Sequence, residues 1–133
     1  MNGARPVIVQ QLPEKLTRGQ VPTFLQEVEP FLHSERPRIV FDFSQVAQVD
    51  SAGIEMLLNC MEEALKRNGD LKLAAVPPEA AVVLELTGVD RLFEIFDNPA
   101  DAAESFHRFP AHAFQQTSPS GYSTIASQTQ RYA

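Results

Sequence analysis

Apolar positions along the chain follow two rhythms, short continuous runs and longer stretches at helical spacing. Val7-Ile8-Val9, with Pro13 soon after, reads as a short strand. Val21, Phe24, Leu25, Val28, Phe31 and Leu32 then recur at helical spacing, with Pro22 in the first turn, where a missing N–H costs nothing. Pro30 falls inside this pattern. A proline there removes a hydrogen bond and clashes with the preceding turn, so a kink or break is expected. After Pro37, Ile39, Val40, Phe41 and Phe43 form the nearly continuous run of a central strand covered on both faces.

A second helix follows AQVDSAG. Its apolar positions, Ile54, Leu57, Leu58, Met61 and Leu65, predict one stripe facing a sheet. Lys66 and Arg67 suit the negative end of its dipole, and Asn68-Gly69 marks its stop. DLKLAAV (70–76) is another short strand. Pro77-Pro78 opens a third helix that Gly88 ends, RLFEIF (91–96) holds a last short strand, and Asp97 or Asn98 can cap a fourth helix. This alternation predicts an α/β fold: a small, mostly parallel (mixed) sheet of about four strands packed against about four helices. From Phe109 to Ala133 the chain is rich in Ser, Thr and Gln and has no apolar period. It reads as a disordered tail (109–133) behind one domain (1–108).

Composition narrows the function. Net charge is −6 and Arg131 is the single charged residue of the tail, so residues 1–108 carry 17 acids against 10 bases. Such a domain repels nucleic acid, and a basic protein surface is the expected partner. One cysteine, Cys60, cannot form an internal disulfide. The N-terminal apolar run is too short for a signal-peptide core or a membrane span, so a cytoplasmic protein without membrane insertion is expected. No Gly-rich phosphate loop is present, and His33, His107 and His112 are scattered, so no metal or cofactor is expected. Cys60, mid-helix, reads as a small buried hydrophobe, and Glu62-Glu63 as a solvated face. An enzyme is therefore not expected.

FDFSQVAQVDSAGI (41–54) is the informative stretch: a strand ends, a loop turns, and a helix starts at a cluster of small residues. Asp50 or Ser51 can cap that helix, with Gly53 as a close-packing residue. Ser51 can equally present its hydroxyl at the helix N-terminus. There free N–H groups and the dipole tolerate a phosphate, while its added charge of about −1.5 to −2 would repel an acidic or tightly apolar partner surface. The two roles are compatible. Helical geometry puts Glu55, Met56 and Asn59 off the predicted buried stripe. With Gln45, Gln48, Asp50, Ser51, Ala52 and Gly53 they are the expected partner contacts.

RIVFDFSQV followed by QVDSAGIEMLL resembles the STAS domain family of bacterial anti-sigma factor antagonists, with its pattern V-x-D-x-S … D-S-[SAT]-G-[IL]. LELTGVDRLFEIF (84–96) is similar to a second family pattern, Leu-x-Thr-Gly-Leu-x-x-Leu-Phe. The resemblance covers roughly residues 7–108. It implies that Ser51 is a phosphorylation site and that the unphosphorylated protein binds an anti-sigma factor, usually a serine kinase of the GHKL type, thereby releasing a sigma factor for transcription. A metal-dependent serine phosphatase would reverse the phosphorylation. ATP and magnesium would belong to the kinase, and the domain would need no cofactor. Family members commonly begin with a strand hairpin, of which this chain has room for the second strand. Many carry Gly-x-Leu-Asp before the first helix. Here the run is Glu14-Lys15-Leu16-Thr17, so Thr17 takes the place of a partner-contacting aspartate. The resemblance also admits a constitutive interaction subunit of a lipid ABC-type transporter or of a stress-sensing complex.

Overall fold

The β-branched and aromatic run after Pro37 forms strand β3 (Arg38–Asp42), and its neighbours are β1 (Ile8–Gln11) and β5 (Asp70–Ala74). The computed structural model describes residues 6–107, so the stretch 109–133 expected to be a tail lies outside the described residues. The fourth strand of the sheet, β6 (Ile95–Phe96), follows a 3₁₀ turn at Val89–Arg91, and the order is β1-β3-β5-β6. All three ladders are parallel, with Val9 beside Val40 and Val40 beside Lys72. Parallel neighbours need long crossovers, and helices supply them. They are α1 (Val21–Leu32) from β1 to β3, α2 (Ser51–Lys66) from β3 to β5, and α3 (Pro78–Thr87) from β5 to β6. The fourth helix, α4 (Pro99–His107), is capped by Asn98, whose Oδ1 accepts from the Asp101 N–H at 2.8 Å. The described residues up to Ala103 belong to one compact unit.

Strand alternation puts Ile39, Phe41, Leu71 and Leu73 on one face of the sheet, all fully buried. They join Phe24, Val28 and Leu32 of α1 and Met56, Leu57, Cys60 and Ala64 of α2 in a single core. Phe24 meets Phe41 edge to face, with ring centroids 5.3 Å apart. The opposite face is also covered at β3 and β5, where Val40 and Ala74 are buried. There the Lys72 side chain is buried, with its Nζ 3.0 Å from a Glu94 carboxylate oxygen and 5.6 Å from the centre of the Phe96 ring.

Three expectations change. Pro30 does not break the helix. The helix runs through it to Leu32, with Pro30 on the exposed side, away from the core residues Phe24, Val28 and Leu32. The buried stripe of α2 starts one residue earlier than predicted: Gly53, Met56, Leu57, Cys60 and Ala64 face inward with Ile54, while Leu65 is exposed. Third, two strands of two residues each appear where loops were read. β2 (Lys15–Leu16) and β4 (Gln48–Val49) pair in parallel as a separate small sheet. The predicted stop of α2 forms as expected. Asn68 takes a left-handed φ of 64°, and the Asn68 and Gly69 N–H groups donate to the Leu65 and Ala64 carbonyls at 3.0 and 2.8 Å.

Candidate functional site

The loop after β3 is laid against the segment Glu14–Leu16 by backbone bonds. The Ala47 and Gln48 N–H groups both donate to the Glu14 carbonyl, at 2.7 and 3.2 Å, and the Asp50 N–H donates to the Leu16 carbonyl at 3.3 Å. These bonds and the β2–β4 ladder bring Thr17 beside Asp50, 33 positions later in the chain.

Asp50 is the N-cap of α2. Its backbone is extended (φ −114°, ψ −174°), and its Oδ1 accepts from the Gly53 N–H at 3.0 Å. Its other oxygen, Oδ2, accepts from the Arg18 N–H at 3.0 Å, so one carboxylate ties the start of α2 to the loop before α1. The Arg18 amide first and the Gly53 amide second hold the Asp50 carboxyl below the usual carboxylate range. Ser51 is the first residue of α2 and is exposed. Of the two cap readings, the cap falls to Asp50, and Ser51 is left facing outward.

A groove of about 450 Å³ lies beside this corner, and Thr17, Gln48, Asp50, Glu79 and Val83 are among its lining residues. The structure thus brings three of the expected contacts, Thr17, Gln48 and Asp50, to one groove next to Ser51. Gln45, Glu55 and Asn59 are exposed but do not line it, and Ala52 is half-buried. Two expected contacts are corrected. Met56 is 2% exposed and belongs to the core, because the buried stripe counts from Gly53 and not from Ile54. Its Sδ accepts from the Cys60 thiol at 3.5 Å. Gly53 is buried as well, and a Cβ there would collide with the Leu16 carbonyl oxygen, so its role is the close approach of α2 to β2. Ile54 and Leu57 are core, as expected, and Leu58 is half-buried.

Arg18, Glu79 and Val83 were not singled out from the sequence. The Arg18 backbone amide serves a carboxylate 32 residues away, and Glu79 and Val83 reach the groove because α3 packs beside β4. Neither arrangement leaves a local signature. Burial pushes the Cys60 thiol up to about 12, in keeping with a structural residue. Among the described residues, no three His, Cys, Asp or Glu side chains cluster as a metal site, and no helix is long and apolar enough to cross a membrane.

Three solved structures share this architecture. An anti-sigma-factor antagonist (STAS) domain protein from Planctomyces limnophilus is 20% identical, with a TM-score of 0.68 over 74% of this chain and 89% of that one. The anti-sigma factor antagonist SpoIIAA in its unphosphorylated form is 17% identical, with a TM-score of 0.67 over 82% of this chain and 95% of that one. A chain of the stressosome, a signal integration and transduction hub, is 21% identical, with a TM-score of 0.62 over 81% of this chain and 98% of that one. At these identities the likenesses carry the fold. The family model of the STAS domain matches residues 1–102, and the chain therefore belongs to the STAS domain family.

Proposed function

We propose that this protein is an anti-sigma factor antagonist whose grip on its partner is switched by phosphate on Ser51. The observation that carries this reading is the position of Ser51: exposed, at the first position of α2, and next to a groove in which Thr17, Gln48 and Asp50 converge. Unphosphorylated, this corner would dock an anti-sigma factor that is also a serine kinase of the GHKL type. The domain itself tolerates the phosphate, because Ser51 is open to water and the dipole of a 16-residue helix favours an anion at its start, while the Gly53 amide stays with the Asp50 carboxylate. A docked partner that sets acidic or tightly packed apolar groups over Ser51 does not, however basic the rest of its surface. The modification adds about −1.5 to −2 charges at the contact. A like-charge juxtaposition costs several kcal/mol, and about 3 kcal/mol is already more than a hundredfold in affinity. A metal-dependent serine phosphatase would restore the binding form.

The test has two arms. Incubation with the cognate kinase, ATP and magnesium should place phosphate on Ser51, as mapped by mass spectrometry. Ser51→Ala should bind the kinase as wild type does, and Ser51→Asp at least tenfold more weakly. Phosphate elsewhere, or equal affinity of the two variants, would overturn the switch.

A second reading, a constitutive subunit of a transporter or a stress-sensing complex, draws on Thr17 in the groove and on the likeness to a stressosome chain. It predicts a partner that binds both variants alike.

A further inference from the structure

The apolar residues of helix α3 do not gather in one stripe, so burying one side of it leaves others of them outside. Here Ala80 and Leu84 are buried, but Val82 is 52% and Leu86 82% exposed, and Leu92 just beyond the helix is 59% exposed. The outward crest of α3 is thus a row of aliphatic side chains open to solvent, the kind of patch that marks a contact surface.

One flank of the crest, through Glu79 and Val83, borders the groove beside Ser51. The other flank borders a separate cavity of about 290 Å³ at the carboxyl ends of β5 and β6. Leu84, Ile95 and Phe96 contribute apolar walls there, Glu85, Asp90 and Asp97 contribute carboxylates, and no lining residue is basic. The Oδ1 of Asp90 is shut off from solvent and has no hydrogen-bond donor among the described residues.

We propose that this face is a second docking surface and that its occupant is a protein segment bearing aliphatic residues and an arginine. The aliphatic side chains would lie along Val82, Leu86 and Leu92. The arginine would enter the cavity, its stem against the apolar walls and its planar, five-donor head among the carboxylates of Glu85, Asp90 and Asp97, which no basic lining residue neutralises. An arginine seated in a pocket beside an apolar patch is a typical anchor of protein interfaces. The surface lies on the far side of α3 from Ser51, so it would serve a partner other than the one that reads the phosphate.

The test is an NMR titration of the full isotope-labelled chain. The probe is a 16-residue helical peptide with leucines along one stripe and arginines beside it, and its control carries glutamate at each arginine position. The arginine peptide should shift the amides of Ala81, Glu85, Leu86, Asp90 and Asp97 and leave Ser51 and Ala52 in place. Its affinity should fall at least tenfold in Asp90→Asn and in Leu86→Ser, and the glutamate peptide should not bind. Leu86→Ser alters an exposed position and so reports even if Asp90→Asn unfolds. No binding, shifts centred on Ser51, or equal affinity for Leu86→Ser would overturn the proposal.

Discussion

At the scale of single residues, Asp50 holds the candidate site in shape. Its two oxygens accept from amides on two different segments, the start of α2 and the loop before α1. Both bonds favour the ionised form, so the carboxyl is held below its ordinary value of 3.8 in the folded protein. The sign of the linkage follows. The stabilisation is fully present above the unfolded value and is lost as pH falls through the lower folded one. Asp50→Asn keeps one oxygen acceptor and loses the charge and the second acceptor. It should lower the thermal midpoint at neutral pH, with the gap to wild type closing as pH drops below the usual carboxylate range. Thermal melts of both proteins across pH check this, and a gap that stays constant down to acid would count against the clamp.

At the scale of elements, the contact between α2 and β2 can be probed at Gly53. In an isolated helix alanine is favoured over glycine by about 1 kcal/mol, so propensity alone predicts that Gly53→Ala stabilises. Packing predicts the reverse, since the new Cβ meets the Leu16 carbonyl, a backbone atom that cannot rotate away. Overpacking of this kind costs about 1–3 kcal/mol, or several degrees in the thermal midpoint. Gly53→Ala should therefore melt lower than wild type, and a higher midpoint would show that α2 shifts without cost. The same contact marks where the sequence was legible and where it was not. Strand–helix alternation, the Asn68-Gly69 stop and the capping chemistry before α2 are local signals, and each could be read. The burial phase of α2 could not, because the residues nearest the sheet include Gly53, Cys60 and Ala64, which are small so that the backbones can come close. Weighting Ile54, Leu58 and Leu65 turned the predicted face by one residue and moved Met56 to the surface. The β2–β4 pair, two residues long in each strand, takes its strand character from a partner more than thirty residues away, and so does the arrival of Glu79 and Val83 at the groove.

At the scale of the whole molecule, charge decides how a partner arrives. Residues 1–108 carry seven more acids than bases, counting 17 against 10, and α3 itself carries Glu79 and Glu85. A field of this sign draws in a basic surface and raises its association rate, an effect that falls as salt shortens the Debye length from about 10 Å at 0.1 M to about 3 Å at 1 M. Dissociation depends more on the close contacts, which salt screens less. Association of the unphosphorylated protein with its partner should therefore slow at least tenfold between low and high salt, with a smaller change in dissociation, as measured by stopped-flow mixing. Phosphate on Ser51 should act on the other side of the balance. It makes the molecule more acidic and would steer a basic partner slightly faster, so weakened binding must appear as faster dissociation. If phosphorylation instead lowered affinity through a slower association rate alone, repulsion at a distance would be the cause, and the contact at the start of α2 would not be where the partner reads the phosphate.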